Sequence, residues 1–432
     1  MYPFNRTDPK KFGRSVSIIG VGCTPFMETL NDPDTEGLTE GELFGHAAIM
    51  AMKDAGVTPK DVEFYFHGQA SPLGGSNYLT PNMQVAEWFG MRGKASMHHS
   101  EACCTGYSSV EIAAMAVASG MYDIVLTGCV EFGDAIAIQG KPSYIREHFS
   151  FEAFQKSTEW MTDNAYSRHL MFNSGHDDTA CWYAEKTGIS VDEMDKTLCQ
   201  LAIVARRNSK RTELAIDHRT YDEDAEAAGY DDVMAYMQSD HNPKIGEYQR
   251  ISGLEHKCDG AAAAVICATD LADKFTKNQP IEILGIGNSS LELSNPRLEV
   301  RCTYEAARQA FQTAGIDPSE IDLLYANDFV ITSQLLAAEA SGYIPENEAW
   351  KYVMEGRTAC DGDKPINPNG GRTGFGHAHA ASGLADVYDA VLQMRGKAGE
   401  HQVVRTPETV FLRGYGGGQN ICNLLLRTRR FR

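Results

Sequence analysis

A motif that occurs twice constrains the fold of this chain more than any other feature. The segment Ile18-Ile-Gly20-Val-Gly22 returns about 260 residues later as Ile283-Leu-Gly285-Ile-Gly287. Each copy is followed by a helical pattern that ends in Ala-Gly, at Gly56 and Gly315, and by a turn that contains proline. Two strand-helix units of this kind predict a duplicated α/β fold, with two mixed sheets, helices on their faces and a helical layer between them.

The region between the two copies divides the chain into three predicted parts. Residues 14–137 form the first half, which residues 251–270 complete, and residues 279–432 form the second half. Residues 138–250 lack the strand-helix rhythm and are predicted to form an inserted lobe. Lobes and loops carry specificity more often than they carry the core.

Aromatic residues are frequent in the predicted lobe. One interpretation is a pocket lined by aromatic rings that binds an acyl group. The other is a small satellite core with a subunit interface, and the sequence leaves both open. The residues concerned are Phe149, Phe151, Phe154, Trp160, Tyr166, Phe172 and Trp182.

The composition excludes several classes of protein. The net charge of −19 argues against nucleic acid as the main partner, because phosphate binding needs concentrated Lys and Arg. The eleven cysteines include no Cys-x-x-Cys pair, so we expect reduced thiols and no bound metal. The N-terminus has no hydrophobic signal core and no apolar run reaches membrane-spanning length. We expect a cytoplasmic protein that binds no membrane.

The segment from Ser100 to Gly120 contains a candidate nucleophile. Cys103, Cys104 and Gly106 precede an Ala-rich helical pattern that ends at Gly120. The positive end of a helix dipole favours a thiolate, and the thiolate is the nucleophilic form of cysteine. The alternative is that both cysteines are small core residues, because free cysteine is often buried.

The repeat predicts an equivalent helix in the second half, after residue 370. A glycine-rich segment with His377 and His379 is found there. Two helix starts are therefore predicted to meet near the centre, one with a cysteine and one with a histidine. Asn327 follows a predicted strand at the sheet edge where α/β proteins place ligands. Gly416 lies in a glycine-rich stretch whose N–H groups can bind an oxyanion.

This order of residues resembles that of the thiolase superfamily over nearly the whole chain. The nearest subgroup is the sterol-carrier-protein type, which includes the thiolase subunit of benzoylsuccinyl-CoA thiolase. The resemblance implies the thiolase fold, an α/β arrangement of five layers, α-β-α-β-α. The motifs that carry it are Cys103-Cys-Thr-Gly106 (C-x-[ST]-G), Cys258-Asp-Gly-Ala-Ala262 ([ST]-D-G-A-A), Asn327-Asp-Phe329 (N-E-A-F or H-D-x-F), Asn367-Pro-Asn-Gly-Gly371 (N-x-x-G-G) and Gly376-His-Ala-His-Ala-Ala-Ser-Gly383 (G-H-P-x-G-[AS]-[ST]-G).

The resemblance also implies an activity and a set of site residues. The expected enzyme is an acyl-CoA C-acyltransferase that cleaves a 3-oxoacyl-CoA, with CoA as co-substrate and no permanently bound cofactor. The implied catalytic residues are Cys103 as nucleophile, His377 and Asn327 at the enolate oxygen, and Gly416 in the oxyanion hole. Such relatives suggest an aromatic or branched substrate such as benzoylsuccinyl-CoA.

Departures from the family motifs leave the second acid–base group open. Thiolases carry a second cysteine at positions that Gly414 or Phe329 occupies here, and the usual Pro and Gly of the histidine motif are Ala378 and Ala380. The candidates for the missing group are His379, Tyr415 and Cys360.

Several alternatives for function and assembly follow from the resemblance. The chain is either a homodimer or a dimer of dimers, and a small zinc-ribbon/OB-fold subunit is a candidate partner. The rival activities are an acetoacetyl-CoA-type thiolase and a Claisen-condensing acyltransferase of the same fold. The rival of another class is a non-catalytic scaffold that binds CoA or lipid, against which the retained Cys103 argues.

Overall fold

The computed structural model of the chain describes residues 11–29, 38–70, 81–132, 177–290, 298–416 and 420–428. Part of the predicted lobe lies outside the described residues. The predicted aromatic pocket residues outside them are Phe149, Phe151, Phe154, Trp160, Tyr166 and Phe172.

The described strands form one hydrogen-bonded sheet of nine strands in the order β3-β2-β4-β5-β1-β6-β9-β8-β7. Their bounds are β1 Val16–Cys23, β2 Phe64–Gly68, β3 Ala95–His99, β4 Ile124–Glu131, β5 Gly260–Ala268, β6 Ile281–Ser290, β7 Leu323–Ala326, β8 Thr409–Gly416 and β9 Asn420–Thr428.

The sheet consists of two mixed half-sheets that meet edge to edge. In the first half β2 runs parallel to β3 and β4, and β5 runs antiparallel to β4 and β1. In the second half β7 is parallel to β8, and β9 is antiparallel to β8 and β6. The halves join where Ser17 and Ile18 of β1 pair with Glu282 and Ile281 of β6. The two predicted mixed sheets are therefore present and continuous with each other.

Thirteen α-helices lie in the described part of the chain. They are α1 Glu40–Ala55, α2 Pro81–Gln84, α3 Thr105–Ala118, α4 Asp178–Thr187, α5 Val191–Lys210, α6 Tyr221–Ala227, α7 Val233–Met237, α8 Ala272–Phe275, α9 Leu298–Ala314, α10 Ser333–Ala340, α11 Ala349–Met354, α12 Gly371–Gly374 and α13 His379–Met394.

The repeated glycines let an outer helix pack directly on each half-sheet. A Cβ atom on Gly20 would lie 2.3 Å from the Ala51 carbonyl oxygen of α1, and one on Gly285 would lie 2.3 Å from the Ala310 carbonyl oxygen of α9. Both strands also shift register at these glycines, after Ile18 and after Ile283. The duplicated sequence motif thus corresponds to a duplicated close contact.

The predicted start and end of α1 are confirmed in detail. The Thr39 hydroxyl accepts a hydrogen bond from the Glu42 N–H, and the Glu42 carboxylate accepts one from the Thr39 N–H. This reciprocal pair is a capping box. Gly56 ends the helix in the left-handed conformation with φ of 74°, which glycine adopts without steric cost.

The helices α3 and α13 form the layer between the half-sheets. They pack on each other; α3 contacts β2, β4, β5 and β9, and α13 contacts β1, β4, β5 and β8. A Cβ atom on Gly106 of α3 would lie 2.4 Å from the Leu384 backbone nitrogen of α13, and one on Gly383 would lie 2.7 Å from the Tyr107 ring. With α1 and α9 outside, the layers are α-β-α-β-α, as the sequence predicts.

The described part of the predicted lobe packs on the second half. The helix α5 contacts α11 and α12, and the Asn208 side chain near its end donates a hydrogen bond to the Asn367 carbonyl. Trp182 packs against the apolar cluster on the outer side of the second half. The predicted domain boundaries stay a prediction. None of the described helices combines the length and apolar character needed to cross a membrane.

Replacing Gly106 by Ala is expected to destabilise the protein. The new methyl group would lie against backbone atoms of α13, 2.4 Å from the Leu384 nitrogen and 2.8 Å from the Ala380 oxygen, so the helices must separate. Overpacking of this kind costs about 1–3 kcal/mol. The measurement is the thermal unfolding midpoint. Gly13→Ala is the control, since only one atom lies within 4 Å of its Cβ position, and equal midpoints for the two variants would contradict the prediction.

Candidate active site

The chain turns sharply just before α3, and this turn presents Cys103. Ala102 has a positive φ of 48°, which is unusual for a residue with a side chain and is found mostly at functional sites. The Thr105 hydroxyl holds the turn, because it accepts a hydrogen bond from the Glu101 N–H at 2.8 Å and donates one to the Ala102 carbonyl at 2.6 Å. Cys104 is buried, whereas Cys103 stays partly exposed.

Cys103 lies two residues before the first residue of the helix and not in its first turn. The helix begins at Thr105, with Cys104 at the N-cap position. The reason is the positive φ of Ala102, which redirects the backbone before the helical hydrogen bonds begin. Cys103 lies in the turn that leads into α3 and is partly exposed, whereas Cys104 is buried.

His377 enters the site from the opposite side, two residues before α13. Gly376 precedes it with φ of 111°, a conformation that favours glycine. The His377 N–H donates to the His256 carbonyl at 2.7 Å, and the His377 carbonyl accepts from the Cys258 N–H at 3.2 Å. Its ring is fully buried and its Nδ1 lies 3.0 Å from the Ser382 hydroxyl. The backbone and the ring are thus both held in place.

The structure brings three of the candidate side chains together. The Cys103 sulfur and one ring nitrogen each of His377 and His379 all lie within 4.8 Å of one another. The two imidazole rings meet edge to face, with centroids 4.7 Å apart. A thiol beside two imidazoles is an arrangement that can form a thiolate and pass its proton on.

A buried carboxylate completes the group, and sequence reasoning missed it. Glu255 Oε2 lies 3.3 Å from His377 Nε2, and Glu255 Oε1 lies 3.9 Å from His379 Nε2. The only sequence signal is the charged trio Glu255-His256-Lys257 directly before a strand of small apolar residues. Charged residues so close to a buried strand indicate either a surface turn or a functional site. Only their position in the folded chain distinguishes the two.

Burial and charge act on these groups in opposite directions. Burial lowers the pKa of His377 well below its usual range, although Glu255 acts to raise it. Burial alone would raise the pKa of Glu255, but its contacts with His377, His379 and Lys257 outweigh burial and hold that pKa below its usual range. Burial and the Glu255 carboxylate thus act in opposite directions on the protonation of His377.

Comparison with known proteins finds similarity to thiolases and acetyl-CoA acetyltransferases. A protein-family profile described as "Thiolase C-terminal domain-like" matches residues 288–423, a range that includes Asn327, His377 and Gly416. The acetyl-CoA acetyltransferase of Methanothermobacter thermautotrophicus is 27% identical over 90% of this chain and 93% of its own length. These matches support the thiolase superfamily, which the sequence motifs also indicate.

Other thiolase relatives match along most of their length. Benzoylsuccinyl-CoA thiolase subunit BbsB of Thauera aromatica is 24% identical over 94% of this chain and 96% of its own. Among solved structures, the Ltp2-ChsH2(DUF35) aldolase has a TM-score of 0.74 at 20% identity, covering 96% of this chain and 98% of that one. Human mitochondrial 3-ketoacyl-CoA thiolase in complex with CoA has a TM-score of 0.66 at 17% identity, covering 98% and 100%. These likenesses confirm the predicted thiolase fold.

The other two predicted thiolase residues lie in the adjoining sheet. Asn327 is fully buried, and its side chain donates to the Tyr415 carbonyl at 2.7 Å and accepts from the Phe329 N–H at 3.2 Å. Gly416 ends β8, and a Cβ atom there would lie 2.9 Å from the Glu101 carbonyl oxygen and 3.3 Å from the Cys104 nitrogen. Gly416 therefore lies beside the Cys103 turn, while Asn327 ties the ends of β7 and β8 together. Their catalytic roles stay predictions.

Residues 414–416 differ from the glycine-rich stretch that the sequence suggests. They are the last residues of β8 and pair with β9, with Gly414 opposite Cys422 and Gly416 opposite Asn420. Glycine is needed at position 414 because a Cβ atom there would lie 2.4 Å from the Tyr107 ring. The space that a side chain at position 414 would need is thus filled by the Tyr107 ring.

The three candidates for the second acid–base group differ in placement. His379 lies in the group around Cys103. The Cys360 thiol donates to the His401 carbonyl, and burial raises its pKa to about 11. The Tyr415 ring is buried and stacks on Phe329 with centroids 5.0 Å apart. The geometry therefore favours His379.

A thiol and two imidazoles are also atom types that bind Zn²⁺. A cation at this position would occupy the sulfur of Cys103 and block its reaction with a carbonyl group. The same side chains are also suited to acid–base and nucleophilic chemistry. The prediction that no metal is resident stays a prediction.

Cys103 is expected to react with iodoacetamide faster than Cys181 at pH 7. Both thiols are partly exposed, but Cys103 lies beside two imidazoles and Cys181 lies 4.0 Å from the Asp177 carboxylate. A nearby base favours the thiolate, and a nearby negative charge disfavours it. Peptide mapping over a time course should give about a tenfold difference in rate. Equal rates would contradict the described placement of Cys103.

Proposed function

We propose that this thiolase cleaves a 3-oxoacyl-CoA with CoA through an acyl-enzyme on Cys103. The observation that carries the proposal is the grouping of the Cys103 sulfur with the ring nitrogens of His377 and His379 within 4.8 Å. The related acetyl-CoA acetyltransferases and thiolases confirm the coarser expectation of an acyl-CoA acyltransferase enzyme. The individual reaction steps are part of this proposal.

In the first half-reaction, the Cys103 sulfur attacks the 3-oxo carbon of the substrate and its proton passes to His377. The negative charge that develops on the oxygen is bound by backbone N–H groups of Cys103 and Gly416. One donor of this kind lowers the activation free energy by about 3–4 kcal/mol. The bond between the second and third acyl carbons then breaks, which leaves the acyl group on Cys103 and the enolate of a shorter acyl-CoA.

The enolate takes a proton at carbon and departs as an acyl-CoA. We assign this proton transfer to His379, since of the three open candidates it is the one that lies beside Cys103. The proton that His377 took from Cys103 passes to the adjacent His379 ring and replaces the one that His379 gives up. The CoA thiol then attacks the thioester and gives its proton to an imidazole. The bond between the acyl carbon and the Cys103 sulfur breaks, the imidazole returns the proton to that sulfur, and a second acyl-CoA leaves. Read in reverse, the same steps are a Claisen condensation.

The position of Cys103 also bears on the non-catalytic alternative. A scaffold for CoA or lipid has no use for a partly exposed thiol in a backbone turn with positive φ. Such strain persists where the surrounding structure maintains it and is common at reactive groups. This geometry supports an enzyme over a scaffold.

Incubation with acetoacetyl-CoA is expected to acetylate Cys103. Peptide mass spectrometry of the trapped protein should place the acetyl group on the peptide that contains Cys103. The Cys103→Ala variant should lose at least about 10³-fold in thiolysis rate, because the nucleophile is absent. Cys181→Ala is the control that should keep its activity. Unchanged thiolysis by Cys103→Ala would refute the proposal.

Two relatives suggest a narrower class of substrate and a class of partner protein. One relative is a benzoylsuccinyl-CoA thiolase and is itself named as a subunit. The aldolase of similar fold is named with two components, Ltp2 and ChsH2(DUF35). We propose an aromatic or branched 3-oxoacyl-CoA as substrate and a small zinc-ribbon/OB-fold protein as partner. The β3 edge of the sheet supports pairing with a second copy in a homodimer.

An aromatic 3-oxoacyl-CoA is expected to be cleaved with a higher kcat/KM than acetoacetyl-CoA. The assay uses the protein alone and together with the product of a neighbouring gene that encodes a zinc-ribbon/OB-fold protein. Addition of that protein should raise turnover and shift the elution volume of the chain on a sizing column. Faster cleavage of acetoacetyl-CoA would instead favour the acetoacetyl-CoA-type thiolase.

A further inference from the structure

Glu255 has three polar neighbours in the candidate active site. None of the sequence motifs described above includes it. Its carboxylate oxygens lie 3.3 Å from His377 Nε2, 3.9 Å from His379 Nε2 and 3.4 Å from Lys257 Nζ. Only 13% of the side chain is exposed. One carboxylate thus adjoins both histidines of the group that contains Cys103.

The backbone fixes the position of this carboxylate from both sides. The Glu255 N–H donates to the Phe329 carbonyl at 3.0 Å, in the segment that follows β7. Leu254 pairs with Val330 before it, and Lys257 pairs with His377 after it. The short segment 254–257 therefore bridges β7 and the entrance to α13. Backbone hydrogen bonds between this segment and His377 therefore hold Glu255 near the His377 ring.

A carboxylate in this place changes the energy of the proton transfer from Cys103. His377 is buried and binds the Ser382 hydroxyl through Nδ1, which leaves Nε2 for the incoming proton. Burial opposes the imidazolium ion that results. A carboxylate 3.3 Å from Nε2 offsets that penalty by charge attraction.

We propose that Glu255 is a positioning residue that orients His377 and His379 and stabilises their protonated forms. The inference rests on the proposed function for its role in turnover. When the Cys103 proton moves to His377 Nε2, the new N–H lies next to Glu255, and no bond to Glu255 itself forms or breaks.

Other charged groups that face His377 must be held constant in any test. They are His379 at the start of α13, Lys257 on the segment of Glu255, and Arg372 of α12. A suitable change is Glu255→Gln, which keeps the shape and removes the charge. Glu255→Asp keeps the charge on a shorter side chain. Glu305→Gln is a matched control, because the Glu305 side chain is 11% exposed and pairs with Arg308 on α9.

The first measurement is the rate of alkylation of Cys103 by iodoacetamide between pH 5 and pH 9, which needs no acyl-CoA. In Glu255→Gln the midpoint of the rate profile should rise by about one pH unit, because the imidazolium that supports the thiolate loses its counter-charge. Glu255→Asp should restore most of the wild-type profile, and Glu305→Gln should match the wild type. An unchanged or lowered midpoint in Glu255→Gln would overturn the inference.

The second measurement is thiolysis of acetoacetyl-CoA or of an aromatic 3-oxoacyl-CoA. Glu255→Gln should lower kcat by about 10- to 100-fold with little change in KM, since the loss concerns proton transfer. An equal loss in Glu255→Asp and a common fall in the unfolding midpoint would point to a structural role and overturn the inference. If the wild-type protein cleaves neither substrate, the proposed function fails, and the alkylation profiles still decide the role of Glu255.

Discussion

The close crossing of α3 and α13 is the contact on which the rest of the structure depends. Gly106 and Gly383 lie at the crossing, where a methyl group on either would meet the opposite helix. Next to them the Tyr107 hydroxyl donates to Asp386, which also binds the fully buried Arg372 through two hydrogen bonds of 2.7 and 3.0 Å. Breaking a buried ion pair of this kind costs about 3–5 kcal/mol. The crossing is therefore fixed both by shape and by charge.

This crossing determines where the reactive atoms meet. Cys103 lies just before α3 and His377 just before α13, so the distance between them is set by how closely the two helices approach. The Glu131 carboxylate at the end of β4 accepts a hydrogen bond from the Ala380 N–H, which ties the start of α13 to the first half-sheet. The lobe and the segment before β5 hold the same entrance from the other side. The site is thus built from both halves and from the residues between them.

Much of the fold could be predicted because its determinants are local and repeated. The Gly-x-Gly strands, the capping box at Thr39 and the Ala-Gly helix ends appear in the sequence at fixed spacing, and each has a matching contact. The pairing of Cys103 with His377 could also be predicted, since the repeat relates the two helix starts. Motif resemblance then supplied the family, which comparison with known proteins confirmed.

What could not be predicted depends on contacts that are distant in sequence. The turn at Ala102 moved the helix start beyond Cys103, and the side chain of Ala gives no signal of a positive φ. In the sequence, Gly414 belongs to a glycine-rich stretch. In the structure it is a strand residue, and the absence of a side chain leaves room for the Tyr107 ring. Glu255 carries no motif at all. Its importance arises only when the backbone of residues 254–257 is placed against His377.

The edge-to-edge union of the half-sheets through β1 and β6 has a further consequence for the ancestry of the chain. Each half carries the same Gly-x-Gly strand and a central helix, and the two central helices pack on each other. Fusion of two copies of one self-associating ancestor would leave this arrangement behind. In such an ancestor both helix entrances were identical, and the division of labour between sulfur and imidazole became available only once a single gene encoded both.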